Sequence, residues 1–428
     1  MENLMNHMFI YRADKDDVVY RYSEILCKPQ GAYPEEEVYQ RIHELIEMAA
    51  SHGFYGNLYH ALLTNFIVNH ENAYTRACEM RGDCGGSLSR AGAHDLELFM
   101  KLFHLDHEYS DFLDFSEIAM LTDYRDNPES GYLFNKRIRD CIMDLCHELE
   151  EAPTLDAFVG AVTDFYKSYG VGSFGLHKAF RVDDQGNVVP ITRIAHVSLS
   201  DLVGYEYQKK QLVDNTEAFL KKLPANNALL FGDAGTGKST SIKAIINQYY
   251  GKGLRMIEIF KHQFRDLNKV IAQIKNRNYR FIIYMDDLSF EEFETDYKYL
   301  KAVIEGGLEK KPDNVLIYAT SNRRHLVREN AGDKKEYDDL HKNDTIQEKL
   351  SLSYRFGCKI YYEAPSPKDF KKIVLSLRDR AGLSISDKEV LEEANKWELS
   401  HGGLSGRTAQ QFIDDLTGKL EMQDRTEE

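Results

Sequence analysis

At 428 residues the chain is too long for one small core and points to two or three domains. With 43% hydrophobic and 29% charged residues it has the composition of a globular protein, and a formal net charge of -15 argues against a broad nucleic-acid-binding face. The first eight residues, Met1 to Met8, hold no basic region followed by an apolar core, and no apolar run approaches the roughly 20 residues that span a bilayer; a cytoplasmic location is expected.

Residues 1–195 read as a mainly α-helical N-terminal domain that ends in a β-hairpin. Val38, Ile42, Leu45 and Ala49 share one face of a pattern beginning at Tyr33-Pro-Glu-Glu-Glu, where Pro34 suits a first turn. Further helical patterns run over about 56–68, 71–80, 93–104, 133–150 and 154–168. Cys78 and Cys84 are poorly spaced for zinc, and all six cysteines read as free thiols. Nothing in this half looks catalytic, so its expected role is to bind a partner or a substrate. Gly170-Val-Gly-Ser-Phe-Gly175 matches a dinucleotide spacing, but it follows a helix rather than a strand; a tight glycine turn is expected. Lys178–Val182 and Val188–Ile191, around a polar turn, read as the hairpin.

From about 196 the pattern becomes alternating strands and helices. Apolar runs at 228–232, 254–259, 280–286, 314–320 and 358–362 read as five strands of a parallel sheet buried on both faces. The first run leads into Gly232-Asp-Ala-Gly-Thr-Gly-Lys-Ser239, and a helical pattern follows. Strand, glycine loop and helix start are the context in which Gly-x4-Gly-Lys-Ser/Thr cradles phosphate. Gly232, Gly235 and Gly237 let backbone N–H groups turn inward, and the helix brings its positive end to the same point. Nucleotide binding is therefore assigned to Gly232, Asp233, Ala234, Gly235, Thr236, Gly237, Lys238, Ser239 and Thr240. Lys238 reaches the β- and γ-phosphates, and Ser239 offers its hydroxyl to Mg2+.

The run at 280–286 ends in Asp286-Asp287. Asp286 is the second candidate for holding Mg2+, and Asp287 the candidate for orienting the attacking water. The next strand ends in Thr320-Ser321-Asn322-Arg323-Arg324. Asn322, with Thr320 second, is the candidate for a polar group beside the γ-phosphate. The two arginines suit either a phosphate or a solvated turn. Residues 327–344 read as a charged surface loop, and after Pro365 three helical patterns, about 367–381, 386–398 and 405–421, form a C-terminal domain.

The order of these features, with Leu300–Glu309, Ser351-Leu-Ser-Tyr-Arg-Phe356 and Gly406-Arg407, resembles the AAA+ ATPases over about 196–420. Within them, Met285–Glu291 and Ala319–Leu326 resemble a bacterial group of unassigned function. The resemblance implies a three-layer α/β core over 196–365 and a helical lid over 366–428. It implies that Asn322 is the first sensor, that Arg355 is an arginine finger reaching a neighbour's γ-phosphate, and that Arg407 is the second sensor. It implies that Asp201-Leu-Val-Gly-Tyr205 and the residues after it pack near adenine. One departure stands out. Most AAA+ enzymes carry Asp-Glu where this chain has Asp286-Asp287, and the shorter Asp287 is expected to make hydrolysis slow or dependent on a partner. Glu291, Glu292 and Glu305 are further carboxylates nearby in sequence.

The expected function is an Mg-ATP-driven AAA+ ATPase that self-associates as a ring or transient oligomer and remodels a protein partner held by the N-terminal domain. The alternative is a slow nucleotide-gated loader or switch on DNA, which the acidic balance disfavours.

Overall fold

The computed structural model describes residues 2–27, 34–82, 84–105, 120–125, 134–290, 296–305, 311–322 and 352–427. Of the features named above, Arg323, Arg324, the loop 327–344, Glu291, Glu292 and the side chain of Glu305 lie outside this set. Two compact units are present, Met1–His177 and Lys178–Glu428.

The first unit is helical: α1 (Val18–Cys27), α2 (Glu35–His52), α3 (Leu58–Asn69), α4 (Ala73–Arg81), α5 (Gly86–Phe103), α6 (Lys136–Glu151), α7 (Leu155–Ser168) and the short α8 (Gly172–Leu176). Their apolar faces meet in one core that includes Leu45, Leu63, Phe99, Leu149 and Phe158. Buried polar groups are paired. Asp95 of α5 accepts the backbone N–H groups of Phe9, Ile10 and Tyr11 at 2.9, 2.7 and 3.0 Å, which ties the N-terminal segment to the helices. The six helices expected between 34 and 168 are all present, and α1 is one more. The glycine motif at 170–175 does follow a helix, α7, but it opens the short α8 rather than only a turn. Its glycines serve close packing: a Cβ at Gly175 would lie 2.7 Å from the carbonyl carbon of Gly170.

The second unit is built on a sheet of β1 (Ala179–Val182), β2 (Val188–Pro190), β3 (Ala228–Gly232), β4 (Leu254–Glu258), β5 (Arg280–Met285), β6 (Val315–Ser321) and β7 (Cys358–Tyr362). The order is β2-β1-β4-β5-β6-β3-β7, with β2 antiparallel to β1 and every other pair parallel. The five expected strands form its parallel centre. The hairpin extends the sheet to seven, because Ala179–Arg181 pair with Met256–Glu258 of β4. The sequence reads it as the end of the first domain or as a linker; in the structure its backbone pairs with β4.

The strands lack polar alternation because both faces are covered. Leu230, Ile282, Tyr284 and Tyr318 pack in one cluster with α9 (Glu206–Leu220) and α10 (Lys238–Tyr249), while the alternate residues Leu229, Ile283 and Ile317 are equally buried. Further helices between strands include α11 (Leu267–Ile274) and α12 (Tyr297–Glu305). After β7 come α13 (Pro367–Arg380), α14 (Asp387–Ser400) and α15 (Gly406–Glu427). Ser366 caps α13 ahead of Pro367, Ser386 and Glu389 form a capping box on α14, and Phe370, Val390 and Phe412 share a separate small core. No helix among the described residues is long and apolar enough to cross a membrane.

Candidate nucleotide site

The glycine loop, the two acids and their polar partners lie at the carboxyl ends of three adjacent strands, β5, β6 and β3. The loop after β3 bends through positive φ at Gly232 (131°), Gly235 (73°) and Gly237 (90°). Gly232 is required by contact as well as by φ, since a Cβ there would lie 2.0 Å from the Tyr362 carbonyl oxygen; at Gly237 a Cβ would meet the movable end of the Leu202 side chain, and φ is what demands glycine. Gly237 caps α10, which begins at Lys238, so the unpaired N–H groups of the first helical turn open at the loop.

Lys238 is buried, and its Nζ donates to the carbonyl oxygens of Gly232 at 3.0 Å and Asp233 at 2.5 Å. Burial holds its pKa below the ordinary lysine range, against the opposing pull of Asp233, Asp287 and Asp286. The ammonium is thus held over the loop by two neutral acceptors, where an anion would serve it better.

Opposite the loop, Asp286 Oδ1 accepts the Ser239 hydroxyl at 2.7 Å and the Thr320 hydroxyl at 2.6 Å. Burial pushes the Asp286 carboxyl up, but the hydrogen bonds from Ser239 and Thr320 outweigh it, and the pKa settles below the usual aspartate value. Thr320 also accepts the backbone N–H of Asp287 at 2.9 Å. Asp287 has φ of +49°, and its carboxylate accepts Asn322 Nδ2 at 2.9 Å. Thr320 and Asn322 at the tip of β6 therefore fix both acids at the tip of β5.

These groups line a cavity of about 520 Å3, within the range of about 300–1,000 Å3 usual for small-molecule sites. Ala234 to Thr240 and Arg407 line it, together with the two acids, Thr320 and Asn322. Asp201, Leu202, Val203 and Tyr205 form a further wall with Ile373 and Leu377 of α13. Arg407, in the first turn of α15, donates its N–H to the Gly235 carbonyl at 3.3 Å and keeps an exposed side chain. Gln410 and Gln411 share its helix face and also line the cavity; the i, i+3 and i, i+4 spacing from Arg407 was the signal for them. Arg355 is elsewhere. It lies three residues before β7, at the end of that strand remote from the loop, because Cys358 pairs with Ala228 whereas Tyr362 pairs with Gly232.

The paired oxygens of Ser239 and Asp286 suit a hard divalent cation. Magnesium takes few protein ligands and completes its shell with water and phosphate. Among the described residues there is no group of three or more His, Cys, Asp or Glu placed to hold a metal ion.

The family model described as "Protein of unknown function (DUF815)" matches residues 176–420. A stretch of 68 residues, 16% of this chain, is 37% identical to the replication factor C large subunit of Staphylothermus marinus; it spans 15% of that protein. Among solved structures, the RuvB Holliday junction branch migration motor of Thermotoga maritima is similar over 53% of this chain and 66% of its own, at 15% identity and a TM-score of 0.37. The AAA domain of FIGL-1 in complex with ADP is similar over 53% of this chain and 74% of its own, at 18% identity and a TM-score of 0.36.

Proposed function

We propose that this chain, which belongs to the DUF815 family of proteins of unknown function, is an Mg2+-dependent ATPase of the AAA+ type. The observation that carries the reading is one convergence. Lys238 and Ser239 of the glycine loop meet Asp286, Asp287, Thr320 and Asn322 of two neighbouring strand tips around a single cavity of about 520 Å3.

In this reading the loop amides of 234–240 and Lys238 hold the β- and γ-phosphates. Ser239 and Asp286 would hold Mg2+, which would supply positive charge beside the phosphate oxygens. Asp287, fixed by Asn322 and by the Thr320 hydroxyl, accepts hydrogen bonds from the attacking water and takes its proton. The wall from Asp201 to Tyr205, with Ile373 and Leu377, encloses the adenine. Arg407 reports the state of the phosphates to the C-terminal helices, and Arg355 enters the site of a neighbouring copy, an arrangement favoured by its distance from its own loop. The cycle moves the C-terminal helices against the sheet and remodels a partner bound by the helical N-terminal unit. A net charge of -15 favours a protein partner over nucleic acid, and the free cysteines fit a reducing cytoplasm.

The test is phosphate release from ATP at increasing protein concentration, for the unaltered chain, Lys238→Ala and Arg355→Ala. Specific activity is expected to rise with concentration and to be lost in both variants. Mixing the two variants is expected to restore part of it, since one supplies the intact loop and the other the arginine. A second reading, a slow nucleotide-gated loader or switch on DNA, draws on the short likeness to replication factor C. ATP binding with background turnover at every concentration, together with steeply salt-dependent DNA binding only in the presence of ATP, would favour it instead.

A further inference from the structure

Asp233 is the second residue of the phosphate loop, and each of its hydrogen-bonding groups is engaged. Its N–H donates to the Tyr362 carbonyl at 3.0 Å. Its carbonyl accepts Lys238 Nζ at 2.5 Å and the Thr236 hydroxyl at 2.8 Å. Its carboxylate accepts the backbone N–H of Ala364 at 2.8 Å. Ala364 belongs to the short connection between β7 and α13, the only covalent link between the sheet and the three C-terminal helices. Tyr205, in the cavity wall, donates its hydroxyl to the next carbonyl back, that of Glu363, at 2.8 Å. The connection is therefore gripped on two successive residues, by Asp233 of the glycine loop and by Tyr205 of the cavity wall.

A carboxylate is out of place in a loop that turns its amides toward phosphate, because it repels the anion the loop binds. Its contact with Ala364 gives it another purpose. The same loop touches the far side of the C-terminal helices: Gly235 accepts the N–H of Arg407, and a Cβ at Gly235 would lie 2.8 Å from Ser405 Oγ and 3.2 Å from Arg407 Cβ. Two residues apart, the loop thus holds both the connection on which these helices would turn and the helix end that carries Arg407.

We propose that Asp233 is a positioning residue: through Ala364 it sets the connection after β7, and so places Arg407 over the phosphates. The proposal rests on the nucleotide reading above. It concerns how the C-terminal helices are placed, not how phosphate is bound.

The chain supplies its own reporter, because its single tryptophan, Trp397, lies on α14. The experiment follows energy transfer from Trp397 to N-methylanthraniloyl-ADP, with the dissociation rate of that nucleotide, in the unaltered protein, Asp233→Ala, Asp233→Asn, Arg407→Ala and Asp233→Ala/Arg407→Ala. Asp233→Ala is expected to bind the probe with reduced transfer and to release it about tenfold faster, the weight of one hydrogen bond to a charged acceptor. Asp233→Asn keeps an acceptor oxygen and is expected to recover most of both. The double variant is expected to release the probe no faster than the quicker single one, since both changes remove one coupled contact. Unchanged transfer in Asp233→Ala, or multiplied rates in the double variant, would overturn the proposal alone. Loss of all binding in Asp233→Asn would also overturn it, since the carboxylate would then be a nucleotide contact. Absence of binding in the unaltered protein would overturn the nucleotide reading and this proposal with it.

Discussion

Ser239 of the phosphate loop and Asp286 at the tip of β5 are 47 residues apart in sequence and share a hydrogen bond of 2.7 Å. The pair joins the glycine-loop half of the cavity to its acidic half. Two oxygens that face each other in this way are ready to exchange their shared proton contact for a common cation. Ser239→Ala and Asp286→Asn are each expected to retain binding of ADP without metal and to weaken the Mg2+-dependent gain in affinity by roughly 10- to 100-fold. Calorimetric titration of nucleotide with and without Mg2+ checks this; an unchanged metal dependence in both variants would remove the pair from the metal site.

Asp287 combines a left-handed backbone, φ +49°, with a carboxylate fixed by Asn322. Asparagine tolerates that backbone and retains an acceptor oxygen, so Asp287→Asn is expected to leave stability within about 0.5 kcal/mol. It removes the proton acceptor, and turnover is expected to fall by roughly 100-fold or more. Asp287→Val is a control of the opposite kind, expected to cost about 1–3 kcal/mol because a β-branched residue does not accept this φ. Urea unfolding and phosphate release, measured together, separate the two effects.

Gly232→Ala tests the packing of the loop against β7. The added carbon would meet the Tyr362 carbonyl oxygen at 2.0 Å at a φ of 131°, and neither partner is a flexible side-chain end. A loss of about 3 kcal/mol or more is expected in urea unfolding, from strain together with a displaced strand end. A loss below about 1 kcal/mol would mean that β7 moves freely there.

Lys311 gives a pH prediction. Burial pushes its pKa down to about 8, with Asp313 opposing, while its Nζ donates to Asn227 Oδ1 at 3.0 Å. The folded state holds this proton less tightly than the unfolded state, whose value is 10.5. Below about 8 the lysine is charged in both states and burial opposes folding; above 10.5 it is neutral in both and the penalty is gone. Its contribution to stability therefore improves as pH rises through that window, by on the order of 3 kcal/mol. Lys311→Met is expected to be the more stable protein at pH 7 and to lose this component of the rise. Chemical unfolding at pH 7 and at pH 10 measures both.

Much of the site was legible because its chemistry is local in sequence. The glycine spacing before Lys238 and the acids ending an apolar run both lie within a few residues, and the order of strand and helix follows from the runs themselves. What was not legible depends on pairings between distant segments. Thr320 ranked behind Asn322 as a site residue, yet it touches both acids, a fact that only the parallel register of β5 and β6 creates. The hairpin read correctly as two strands, but its attachment to β4 has no local signal. Helix α1 was missed although Val19, Tyr22 and Leu26 are spaced for one buried face. The grip of Asp233 on Ala364 spans 131 residues, and the aspartate alone reads only as a loop member.

The central claim is that the loop and the two strand tips form one Mg-ATP site, and equilibrium titration of ATP into the full chain with and without Mg2+ tests it most directly. The expected result is one ATP per chain, tighter with Mg2+, with affinity reduced by about tenfold or more in Lys238→Ala, which removes the buried charge facing the phosphates. No binding by the unaltered chain, or binding that Lys238→Ala leaves unchanged, would contradict the account.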